Sequence, residues 1–69
     1  MTKTLQIEGM SCEHCARAVK LALEEIAGVT RADVALDAQT AQVELAVEVD
    51  QERLSAAIGQ AGYTFIGVR

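Results

Sequence analysis

The sequence predicts an α+β fold, a four-stranded antiparallel sheet with two helices on one face in β-α-β-β-α-β order, the ferredoxin-like sandwich. Three observations predict it. Four short stretches alternate apolar with polar residues, two longer ones repeat apolar residues every three or four positions, and the two kinds follow one another in that order. No linker, low-complexity segment or sequence-level repeat is left over, so residues 1–69 read as one domain.

Thr4 to Glu8 turns Leu5 and Ile7 inward and Gln6 and Glu8 outward, as a half-buried strand does, and Gly9 ends it. From Ala16 to Ala27 the apolar residues Ala16, Val19, Ala22, Leu23 and Ile26 fall on one helical face, with Arg17, Lys20, Glu24 and Glu25 opposite. Gly28 is the expected stop and Ser11 the expected N-cap. Thr30 to Leu36 and Ala41 to Val47 read as two strands, the first with Ala32, Val34 and Leu36 inward, the second with Ala41, Val43, Leu45 and Val47. Asp37-Ala38-Gln39-Thr40 between them is short and polar, as a hairpin turn is. Asp50 is the expected cap of a second helix whose inner stripe is Leu54, Ala57, Ile58 and Ala61, with Gly62 past its end. Gly59 inside that helix costs about 1 kcal/mol against Ala. Tyr63 to Val68 completes the sheet.

Composition narrows the function. Sixty-nine residues leave no room for a second core or a large enzyme cleft. The net charge is −4, no Lys/Arg cluster is present, and the aromatic residues are Tyr63 and Phe65, which argues against nucleic-acid binding. An acidic balance suits a partner with a basic docking face. No stretch approaches the roughly 20 apolar residues of a membrane span, and Met1 to Glu8 lacks the apolar run of a signal peptide. A soluble, cytosolic protein is expected, and Met1 with Arg69 at the ends favours a freestanding domain over one cut from a transporter.

The chemistry sits in Gly9-Met10-Ser11-Cys12-Glu13-His14-Cys15, which holds both cysteines and the single histidine at a strand-to-helix junction. Cysteine binds metal or attacks as the thiolate, and a helix N-terminus favours the thiolate through free N–H groups and the macrodipole. A spacing of three lets both sulfurs face one point. Two soft sulfur ligands with nothing else converging suit a soft monovalent ion, of which Cu(I) is the commonest. Their complex carries charge −1, which the helix end and nearby Arg17 or Lys20 would partly offset.

The seven residues match the G-M-x-C-x-x-C motif, and with the element order the chain resembles the heavy-metal-associated domain family over nearly its full length. As a freestanding domain it is similar to the family's bacterial copper chaperones. The resemblance implies a protein that binds Cu(I) through Cys12 and Cys15 and hands it to a copper-exporting P-type ATPase, or to a copper-responsive regulator. Transfer by this resemblance runs through thiolate exchange with three-sulfur intermediates, and no bond-making catalysis is implied. It also implies a monomer without metal, with a copper-bridged dimer as the alternative when loaded. Bacterial copper members carry a tyrosine before the last strand, matched here by Gly62-Tyr63, where eukaryotic copper chaperones usually carry lysine. Zinc and cadmium members tend to place aspartate before the first cysteine, where this chain has Ser11. Mercury-binding periplasmic relatives carry a signal peptide, and none is visible here.

Rival readings of the same residues are a thiol-disulfide redox pair, an inert buried pair and a structural zinc site. Redox is weakened because thioredoxin-like sites face their cysteines with a cis-proline and this chain has no proline. Zinc needs four ligands, and Cys12, Cys15 and His14 supply at most three. His14 adjoins Cys15 and points roughly 100° away on a helix, so a solvent-facing histidine is expected, with field tuning or a shared copper cluster as its functional alternatives. Met10 is expected in the core, pinning the loop, and not on the metal. Tyr63 is expected beside the sulfurs. Glu13, Arg17 and Lys20 are expected as solvated helix charges that could steer docking.

Overall fold

In the computed structural model, which describes residues 1–69, β1 (Thr2–Glu8) pairs antiparallel with two partners and so lies inside the sheet. One neighbour is β3 (Thr40–Leu45) and the other is β4 (Thr64–Val68), while β2 (Val29–Ala35) flanks β3, giving the order β2-β3-β1-β4. Between strands run α1 (Glu13–Glu24) and α2 (Gln51–Gln60), so the element order is βαββαβ, the ferredoxin-like fold expected. None of the helices is long and apolar enough to cross a membrane.

The alternation read from the sequence sets the core. Leu5, Ile7, Ala32, Ala41, Val43 and Leu45 on the sheet meet Val19 and Leu23 of α1 and Leu54 and Ile58 of α2, all buried. Each fully buried Leu, Ile or Val contributes about 1.5–3 kcal/mol relative to exposure. Phe65 and Leu36 pack against the edge of this cluster.

Three local expectations need correction. Val47 is 58% exposed and Val49 takes the buried place at 3%, because β3 ends at Leu45 and the chain bends there, so the period of two does not continue. The α1 helix stops at Glu24 with Glu25 as C-cap, and the chain tightens into a turn, Ile26 N–H to the Leu23 carbonyl at 3.1 Å, before Gly28. Cys12, not Ser11, is the α1 N-cap, and neither Cys12 nor Asp50 makes a side-chain cap hydrogen bond.

Two features aim residues at the end of the sheet where β1 meets α1. Gly62 (φ +98°) follows α2 in the left-handed region, its N–H reaching the Gly59 carbonyl at 3.0 Å and the Tyr63 N–H reaching the Ile58 carbonyl at 3.1 Å. These paired bonds close the helix in a Schellman motif and fix where Tyr63 leaves it. At the β2–β3 turn, Gln39 donates its own N–H to the Leu36 carbonyl and accepts the Ile7 N–H at 2.9 Å, tying the turn to the end of β1.

Candidate metal centre

Cys12 and Cys15 meet at the start of α1. Cys12 is extended (φ −154°, ψ 170°), and its carbonyl accepts the N–H groups of Cys15 at 3.0 Å and Ala16 at 3.1 Å. That geometry starts the helix and puts Cys15 on its first turn, three residues on, with the two sulfurs on the same side. Their Sγ atoms lie 3.4 Å apart, well beyond the ~2.05 Å of a disulfide, so both are free thiols. Cys12 is exposed and Cys15 half-buried. The pair is therefore open to solvent.

The surroundings favour the thiolate. The Ser11 backbone N–H, then the Tyr63 hydroxyl, then the Cys12 thiol pull the Cys15 pKa from its ordinary value down to about 6. The same contact with Cys15 pushes the Tyr63 phenol up, keeping it protonated and a donor. The Tyr63 ring also lies over Gly9, where an added Cβ would stand 3.6 Å from its Cδ1. Ser11 contributes a second polar atom, its Oγ 4.0 Å from the Cys15 sulfur.

Other residues singled out by sequence fall as follows. Met10 is 5% exposed and belongs to the core, where it holds the loop against the sheet. His14 is exposed and shares a shallow surface patch with Glu13 and Arg17. Nowhere do three or more His, Cys, Asp or Glu side chains come together in a way that could hold an ion, so His14 does not join the sulfurs. Lys20 is committed elsewhere: its Nζ donates to Glu24 Oε2 at 2.8 Å, and Glu24 also accepts the Ala32 N–H at 3.2 Å, holding its carboxyl below the usual range. Gln39 is the residue that sequence reading missed. Its carboxamide bonds Met10 in the loop before α1, and no local pattern could announce a partner 29 residues away.

The sequence model described as "Heavy-metal-associated domain" matches residues 4–64. The chain belongs to the heavy-metal-associated domain family. A relative from Staphylococcus saprophyticus, named "Copper chaperone CopZ", is 44% identical over 63 residues, covering 90% of this chain and 93% of its own length. Among solved structures, a "CopZ metallochaperone" superposes with a TM-score of 0.89 at 39% identity, covering 96% of this chain and all of that one. A copper-binding domain from a P-type ATPase superposes with a TM-score of 0.85 at 27% identity, covering 99% of this chain and 96% of that one. These heavy-metal-associated domains share with the chain the sheet order and helix placement that bring a strand-to-helix loop to one end of the sheet.

Proposed function

We propose that this protein is a cytosolic copper chaperone that takes up Cu(I) on Cys12 and Cys15 and passes it to a copper-transporting P-type ATPase. The observation that carries the reading is the open two-sulfur site: sulfurs 3.4 Å apart, one of them exposed, with no third His, Cys, Asp or Glu side chain gathered beside them. Support for copper as the cargo comes from the relatives named for copper, and for the recipient from the likeness to an ATPase's copper-binding domain.

Each part of the site has a task in uptake and release. With its pKa near 6, Cys15 is a thiolate at neutral pH and binds without first losing a proton. The N–H groups of the first α1 turn face the negative charge that two thiolates and one monovalent ion leave behind. Exposure of Cys12 leaves an approach for an incoming sulfur of the recipient, so ligands exchange one at a time and the ion is never released into water. Two soft ligands hold Cu(I) in preference to Zn(II), which takes four in structural sites. The protein binds and delivers, and makes or breaks no covalent bond in a substrate.

An anaerobic competition of Cu(I) and Zn(II) against chelators, with the mass of the species formed, tests the reading. One Cu(I) per chain and no tight Zn(II) is the expected outcome. Weak Cu(I) binding, together with a dithiol potential in the oxidoreductase range and turnover of a disulfide substrate, would favour a redox protein instead.

A further inference from the structure

Gln39 reaches from the β2–β3 turn into the loop that precedes α1, and its carboxamide makes three hydrogen bonds, two of them to Met10 of that loop. The Nε2 donates to the Met10 carbonyl at 2.7 Å and to the Leu36 carbonyl at 2.8 Å, and Oε1 accepts the Met10 N–H at 3.2 Å. One side chain thus answers both main-chain groups of Met10. The contact comes with local strain, since Gln39 holds φ at 54°, and it is the one non-glycine residue in the left-handed region. Glycine or asparagine would suit the turn better, so the turn alone does not account for glutamine.

The Met10 carbonyl and the Ser11 N–H belong to one planar peptide unit, and fixing the carbonyl fixes where the N–H points. Ser11 adjoins Cys12, and its Oγ lies 4.0 Å from the Cys15 sulfur, so the orientation of this peptide bears directly on the sulfur pair. Met10 is also anchored from the other side by its buried side chain. The loop is therefore gripped at the residue next to Ser11 and Cys12, from a part of the chain distant in sequence.

We propose that Gln39 is a positioning residue for the metal loop: its carboxamide clamps the Met10–Ser11 peptide so that both sulfurs are presented in one preset arrangement. The proposal rests on the reading of Cys12 and Cys15 as the ligands. Without the clamp the loop samples more conformers, and ordering it again is charged against metal binding. The clamp then acts on how firmly the cargo is held, in a protein whose work is to hold and let go.

Gln39→Gly and Gln39→Asn test this, because both accept the left-handed backbone and neither reaches Met10. Three quantities are read on the 69-residue chain: hydrogen exchange of the Met10 amide without metal, the rate at which a chelator strips Cu(I), and the urea midpoint. Loss of the two hydrogen bonds to Met10 should speed Met10 exchange about tenfold and Cu(I) loss several-fold in both variants. The urea midpoint of Gln39→Gly should stay close to that of the native protein, because relief of the left-handed strain offsets the lost bonds. Unchanged Met10 exchange and Cu(I) loss in Gln39→Gly would overturn the clamp. So would changes that merely follow a lowered urea midpoint, which would make Gln39 a general stabiliser. Failure of the native protein to hold Cu(I) would sink the chaperone reading instead, while faster Met10 exchange in the same samples would still uphold the clamp.

Discussion

The two helix N-termini of this fold are built alike, yet the candidate site stands at only one of them. Both follow an extended cap residue, Cys12 or Asp50, without a side-chain cap bond, and both cap carbonyls accept the N–H groups three and four residues on. Both are preceded by a buried apolar anchor, Met10 or Val49, and both have a glutamate in the first turn. The macrodipole is thus common to the two ends and does not by itself make a site. What differs is what converges from elsewhere: Tyr63 from the end of α2 and Gln39 from the β2–β3 turn reach the start of α1. At α2, Asp50, Gln51 and Glu52 are exposed.

The largest effect that sharpens this contrast is loss of a ligand. Cys12→Ser or Cys15→Ser should weaken Cu(I) binding by more than about a hundredfold, beyond the range typical of groups that merely support a ligand. Asp50→Ser, the matched change at the other helix, should leave Cu(I) affinity as it is, and chelator competition on the three variants reads the difference. Equal losses in all three would break the comparison.

Next comes backbone damage. Gly28→Ala places a Cβ 2.9 Å from both Val47 Cγ2 and Val49 Cγ2 at a φ of +101°, and should cost about 2–4 kcal/mol in urea unfolding. Gly62→Ala meets no atom within 4 Å, so only its φ of +98° counts, about 1–2 kcal/mol. Its further consequence separates it from Gly28→Ala: by loosening the closure of α2 it displaces Tyr63 and raises the Cys15 pKa.

Tyr63→Phe isolates that contact. In the native protein the alkylation rate of Cys15 should rise with pH through a midpoint near 6, the pKa to which its neighbours lower it. Removing the hydroxyl should move the midpoint upward with little change in urea midpoint, whereas an unmoved midpoint would make Tyr63 a packing residue. The sign for stability follows from linkage. The unfolded chain keeps the Cys15 proton to higher pH than the folded protein, so stability rises with pH between the two pKa values and is lost as pH falls through about 6.

The smallest effect belongs to Asp50. Because its side chain makes no cap bond, Asp50→Ala should cost less than about 0.5 kcal/mol, below the ~1 kcal/mol usual for an N-cap. A full capping loss in thermal unfolding would show that the two helix starts are not built alike.

The fold was legible because its signals are local and periodic: Leu5 and Ile7, Val19 and Leu23, Leu54 and Ile58 each mark a face within a few residues. Where periodicity lapsed, so did the reading, as at Val47, which a bend after β3 turns outward in favour of Val49. The positions of Cys12, Cys15 and Met10 followed from one short motif. Cap identity did not, because residue type favoured Ser11 while backbone geometry chose Cys12. Lys20 was expected near the thiols on sequence proximity alone, and Glu24 one turn away holds it. Gln39 was out of reach of sequence reasoning for a physical reason: its partner is set by how the turn packs on the loop, not by anything adjacent to it.

X-ray absorption at the copper edge, on protein loaded anaerobically with one equivalent of Cu(I), reads the ligands of the bound ion. Copper in the monovalent state bound by two sulfurs is expected, with no nitrogen or oxygen neighbour, and Cys12→Ser should lose one of those sulfurs. A nitrogen ligand from His14, or a copper environment that Cys12→Ser leaves unchanged, would contradict that expectation.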